Sequence, residues 1–141
     1  MITADQLVAH AIGDYVLQSD WMANEKTKKS FAAIVHAIFY TIPFVWLAPH
    51  MSWAAWGVMA GTHFLIDRYR LARYVCYAKN FLSFPATLPE HLIGTQWWFP
   101  WSECSATGYH KDRPAWMAVW LLIIADNTMH VCINGLALKY L

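Results

Sequence analysis

Residues 30–66, SFAAIVHAIFYTIPFVWLAPHMSWAAWGVMAGTHFLI, run without a single Asp, Glu, Lys or Arg. Crossing a bilayer takes about 20 apolar residues, so the run has room for two helices joined by a turn. Ala48-Pro49-His50-Met51-Ser52 supplies the turn signal. The expectation is a transmembrane hairpin with spans over 31–48 and 52–67. Outward from it, residues 115–138 form another apolar segment, opened by Trp116 and Trp120 and interrupted by Asp126, and residues 2–18 form a shorter one that contains Asp14. Tryptophans at such ends suit the membrane interface. The fold class expected is all-α: a polytopic bundle of about four transmembrane helices in a single integral-membrane domain over residues 1–141.

Composition agrees with that reading. Of 141 residues, 58% are hydrophobic and only 13% charged, where an ordinary soluble domain carries about 25% charged residues. Disorder is excluded by the same figures. A net charge of +1 without a concentrated basic patch gives no case for a nucleic-acid duplex as partner. The amino-terminal segment lacks a basic n-region and carries Asp5 and Asp14, so a cleavable signal peptide is not expected. Cys76, Cys104 and Cys132 are odd in number and have no metal-finger spacing, which reads as reduced thiols.

Basic residues set the expected orientation. Lys26, Lys28 and Lys29 follow the first segment, Arg68, Arg70, Arg73 and Lys79 follow the third, and Lys111 and Arg113 precede the fourth. If all four segments cross, these residues share one side, which the positive-inside rule makes cytoplasmic. Lys139 alone stands against the rule. The protein is expected in the inner membrane, multi-pass, with its main connection, residues 68–114, in the cytoplasm. Within that connection residues 69–82 have amphipathic helical spacing. Pro85, Pro89 and Pro100 break any longer helix, and Trp97, Trp98, Phe99 and Trp101 form an aromatic cluster suited to headgroups.

The acids inside the apolar segments carry the chemistry. Burying an Asp in a membrane helix costs about 2.5–3.5 kcal/mol, so Asp14, Asp67 and Asp126 need compensation. Each has a histidine four residues away: His10 with Asp14, His63 with Asp67, and His130 with Asp126. That spacing puts both side chains on one helix face. Asp5, Asp20 and Asp112 have no such partner. His36 adds an ionisable group to the second span. Together His10, Asp14, His36, His63, Asp67, Asp126 and His130 form a candidate metal set, with Asp14, Asp67 and Asp126 as candidate catalytic acids. Mixed imidazole and carboxylate donors suit Zn, Mn or Fe, and seven ligands could serve a dinuclear site. Two other readings stay open, a structural His–Asp network and an ion pathway. Gly13 and Gly61, beside Asp14 and His63, would permit close backbone approach. Gln18 continues the His10–Asp14 face as a candidate substrate contact.

The stretch His10-Ala-Ile-Gly-Asp14-Tyr-Val-Leu-Gln18-Ser-Asp20-Trp21-Met22, with Lys26-Thr27-Lys28, His36, His63 with Asp67, and Asp126-Asn127-Thr-Met-His130, resembles an uncharacterised family of small inner-membrane proteins of bacteria and tailed phages. Its signature runs HxxGDxxLQ, a His in the second span, HxxxD in the third and a DQxxH-like motif at the end. Asn127 stands where that pattern has Gln. The resemblance implies the site and no particular reaction. There is a fainter likeness to membrane-bound metal-dependent hydrolases. The expected function is a metal-dependent hydrolase acting on a phosphoester or pyrophosphate, lipid-linked or nucleotide, at the cytoplasmic face, with Arg68, Arg70 and Arg73 attracting the anionic substrate. The alternatives are a non-enzymatic membrane protein that binds a host membrane partner and a di-iron lipid oxidoreductase. The partners expected are the lipid bilayer and an anionic phosphate-bearing substrate, and a homo-oligomer is left open.

Overall fold

The computed structural model describes residues 2–82 and 99–141. Among them the protein is all-helical, with no strand beyond an isolated antiparallel bridge between Cys104 and His110. The chain divides into two compact units, one formed by Met1–Arg70 with Asn127–Leu141 and the other by Leu71–Asp126.

In the first unit, Thr3 and Gln6 close a capping box that starts α1, Ala4–Ala11. The chain then widens into a π turn over Ile12–Val16, closed by the Leu17 N–H donating to the Ile12 carbonyl at 2.9 Å. Ser19 caps the short α2, Asp20–Glu25. Beyond it the Lys29 ammonium, 2.8 Å from Glu25, holds that carboxyl below its ordinary range. The charge-free run becomes α3, Ser30–Leu47, and α4, Trp53–Tyr69, with Ser52 capping α4 through the Ala55 N–H at 3.0 Å. Helix α4 stops at Arg70, whose left-handed backbone (φ 52°) terminates it.

Helix α3 is apolar on the outside and carries the polar side chains His36, Tyr40 and Thr41 within, beside small residues and Phe44. Ala33, His36, Ala37, Tyr40 and Thr41 are buried, while Phe31, Ile34, Ile38, Ile42, Val45 and Trp46 are exposed. A helix of a water-facing domain has the reverse pattern. The buried core of this unit joins Ala9, Tyr40, Phe44, Ala55, Met59 and Ala137. Small residues bring the backbones close, most of all at Gly13, where a Cβ would overlap the Tyr40 carbonyl. Gly61 has no such neighbour, since a Cβ there would meet nothing within 4 Å. The close approach expected at Gly61 is therefore absent among the described residues.

In the second unit, α5, Ala72–Phe81, is a helix separate from α4, because Arg70 breaks the continuation expected from residue 69 onward. Cys76, Tyr109 and Ala118 form its core with Leu121, Leu122 and Ala125, and burial pushes the Cys76 thiol up. A loop closed by Ser105 and Tyr109 turns at Gly108 (φ 80°), where a Cβ would overlap the Arg73 carbonyl. Pro85, Pro89, Trp97 and Trp98 lie outside the described residues.

Among the described residues two helices are long and apolar enough to cross a membrane, Ser30–Leu47 and α6, Ala115–Tyr140. Residues 2–18, expected as one span, instead make an 8-residue α-helix and a 5-residue π turn, about 20 Å together at helical rise. Helix α4 has 17 residues and is less apolar than α3.

Candidate metal centre

The site lies in the first unit and draws on four segments. The π turn supplies Asp14, α3 supplies His36, and α4 supplies His63 and Asp67; all four side chains are buried. Helical spacing explains the last pair, with His63 Nε2 3.2 Å from Asp67 Oδ2 across one turn. His36 Nε2 lies 3.0 Å from His63 Nε2, 3.1 Å from Asp67 Oδ2 and 3.2 Å from Asp14 Oδ1. His63 Nε2 is 3.8 Å from Asp14 Oδ1. The fourth segment is the carboxyl-terminal part of α6, whose His130 meets His63 Nδ1 to Nδ1 at 3.2 Å and turns Nε2 to Asp67 Oδ1 at 3.7 Å.

Protons alone satisfy this arrangement poorly. An imidazole nitrogen is either one donor or one acceptor, yet His36 Nε2 has two carboxylate oxygens, a second imidazole nitrogen and an ammonium within 3.2 Å. A cation held by the two carboxylate oxygens and the two imidazole nitrogens would take a lone pair from each of the four. This buried Asp and His cluster could hold a metal ion, its ligand atoms lying within 4.8 Å of one another.

His10 takes a different place from that expected of a ligand. Its Nε2 is 4.0 Å from Asp14 Oδ2 but 2.6 Å from Asn127 Oδ1, and its Nδ1 is 2.8 Å from the Tyr40 hydroxyl. Asp14 lies in the π turn, whose hydrogen-bonded ring holds one residue more than that of an α-helix. Tyr40 in turn stacks on His63, with ring centroids 3.7 Å apart and 14° between planes, and accepts from the Asn134 amide. Asn127, which stands where the resembled pattern has Gln, thus bonds His10 and donates to the Tyr15 hydroxyl.

Asp126 is the last residue of the second unit, one turn ahead of His130 on α6. Gln18 has a buried Oε1 with no hydrogen-bond partner among the described residues. Each of the three arginines expected at the substrate has its own local contacts. Arg68 donates from Nη1 to the Thr27 carbonyl at 2.9 Å and from Nε to Ser30 Oγ at 3.3 Å, so it ties down the α2–α3 connection. Arg70 terminates α4. Arg73, in the second unit, packs its guanidinium over Tyr74 and Trp101.

Lys26, read from the sequence as a loop cation and as part of the resembled motif, was not expected among the site residues. Its Nζ is 2.8 Å from Asp67 Oδ2, 3.1 Å from His36 Nε2 and 3.9 Å from Asp14 Oδ1, with the side chain 16% exposed. The signal available was its place in the connection between two ligand-bearing segments, but no helical periodicity links it to either.

The fold and site define a class: among the described residues, an all-helical protein with a buried His/Asp cluster and two helices long and apolar enough to cross a membrane. The chain belongs to the family described as protein of unknown function DUF3307, whose model matches residues 2–88, a region that holds Asp14, Lys26, His36, His63 and Asp67. No curated protein and no solved structure matches the chain.

Proposed function

We propose that this protein is a membrane-embedded metal-dependent hydrolase whose centre is built from Asp14, His36, His63 and Asp67 and acts on a phosphoester or pyrophosphate. The observation that carries the metal is the ligand spacing. Five distances among two imidazole nitrogens and two carboxylate oxygens run from 3.0 to 3.8 Å. A tetrahedral ion with bonds of roughly 2.0–2.1 Å has ligand-to-ligand edges of about 3.3 Å. The N2O2 set suits Zn, with Mn or Fe as further candidates. Asp67, with Oδ1 toward His130, has the orientation of a carboxylate that could bridge to a second ion. A bound divalent ion would lower the pKa of its water and polarise a phosphoryl oxygen. The apolar outer face of α3 and the exposed Trp116 and Trp120 of α6 favour a bilayer setting, with α1, the π turn and α4 completing the bundle and the basic connections facing the cytoplasm.

The test is metal content. The full chain, purified without chelator or titrated with Zn2+ or Mn2+, is expected to hold a stoichiometric ion. Asp67→Asn is expected to weaken binding by about 100-fold or more while helicity by circular dichroism is retained. Absence of stoichiometric binding, or full occupancy in both Asp67→Asn and Asp14→Asn, overturns the metal centre. Release of inorganic phosphate from a phosphomonoester by the metal-loaded chain, lost in Asp67→Asn, tests the reaction. A second reading, a purely structural network, is favoured by one observation: the Lys26 ammonium already gives Asp67 a counter-charge at 2.8 Å.

A further inference from the structure

The position of Lys26 bears on what the site binds besides a metal. Its ammonium stands over Asp67 Oδ2 and His36 Nε2, at 2.8 and 3.1 Å, two of the atoms that would hold the ion. Its reach is not accidental to a floppy loop. Arg68, the residue after Asp67, grips the Thr27 carbonyl at 2.9 Å and Ser30 Oγ at 3.3 Å, so the helix that carries Asp67 also anchors the backbone next to Lys26. A divalent ion on those ligands and an ammonium in van der Waals range of it repel strongly in a buried setting. Two outcomes relieve the repulsion: the ammonium withdraws along its four-carbon stem, or an anion enters between the two charges. The second leaves every charge paired, and a tetrahedral oxyanion can bind the metal through one oxygen and the ammonium through another.

We propose that Lys26 is the oxyanion-binding residue of this centre, recognising a phosphate group held between its ammonium and the metal. The proposal rests on the metal reading above and deepens it, because it assigns recognition of the phosphate to Lys26, whereas Arg68 serves to position the connection that carries it. Its consequence is linkage. Lys26 opposes the metal when no anion is present and favours it when phosphate binds, and by reciprocity phosphate must then raise metal affinity.

The experiment measures Zn2+ affinity of the full chain by chelator competition in four settings: detergent with and without inorganic phosphate, and phosphatidylcholine nanodiscs with and without phosphatidic acid. For the wild type, phosphate in free or lipid form is expected to tighten Zn2+ binding by about five-fold or more. Enhancement by inorganic phosphate identifies a soluble phosphate ligand, and enhancement by phosphatidic acid alone identifies a lipid headgroup. Lys26→Met is expected to bind Zn2+ more tightly than wild type without phosphate and to lose the enhancement, whereas Lys26→Arg keeps part of it. Equal enhancement in wild type and Lys26→Met, or none in the wild type from either source, overturns the role of Lys26 and leaves the metal centre standing. Failure of wild type and Lys26→Met alike to bind Zn2+ overturns the metal centre and this proposal together.

Discussion

Tyr40 illustrates how one side chain can serve the site without offering it a ligand. Its ring lies flat on His63, and its hydroxyl joins His10 and Asn134. Removing only the hydroxyl separates these roles. Tyr40→Phe leaves two buried polar groups short of a partner, which costs about 1–3 kcal/mol, but it keeps the stack on His63. Thermal unfolding of this variant is expected to fall clearly below wild type while Zn2+ affinity stays within about ten-fold. Loss of metal binding as severe as in Asp67→Asn would show that the hydroxyl, and not the ring, holds the ligand geometry. At this scale the pairing of His63 with Asp67 is legible in the sequence, because both sit in one regular helix where i and i+4 share a face. His10 and Asp14 have the same spacing, yet His10 bonds Tyr40 and Asn127, residues that lie far from it in the sequence. Lys26 is illegible for another reason: a loop residue's destination is set by the elements on either side of it.

The π turn over Ile12–Val16 is the element that turns a carboxylate toward α3. It can approach α3 only because Gly13 has no side chain, and a Cβ there would overlap the Tyr40 carbonyl, a backbone atom that cannot move aside. Gly13→Ala is therefore expected to destabilise the protein by about 1–3 kcal/mol and to weaken Zn2+ binding by displacing Asp14. Gly61→Ala, in open space within α4, is expected to be neutral or to stabilise by up to about 1 kcal/mol through helix propensity. Melting temperatures of the two variants in the same detergent check the contrast, and equal shifts would mean that the Gly13 contact is not a constraint. Helix α4 shows the complementary lesson. Its start is readable from Ser52, a hydroxyl placed to cap, whereas its end at Arg70 is not, because a non-glycine residue in a left-handed conformation leaves no local sequence signal.

For the whole molecule, the arrangement of apolar surface matters more than its amount. Trp46 and Trp53 are 82% and 88% exposed, near the turn between α3 and α4, while the buried face of α3 holds histidine, tyrosine and threonine. Apolar surface of this kind is costly in water at about 25 cal/mol per Å2. The protein is expected to remain with membranes after high-salt and alkaline washing, and its release into the supernatant would count against a bilayer setting. By itself the sequence determined the helical class, two of the four expected spans as long apolar helices and the candidacy of the His and Asp residues, because hydropathy and i,i+4 spacing are local properties. Only the tertiary structure decided which of those residues share one centre, that His10 turns to Tyr40 and Asn127, and that Lys26 enters from a loop. Those outcomes depend on how a π turn, two helices and the end of a third approach one another, and side-chain distances across segments far apart in the chain leave no periodic trace along it.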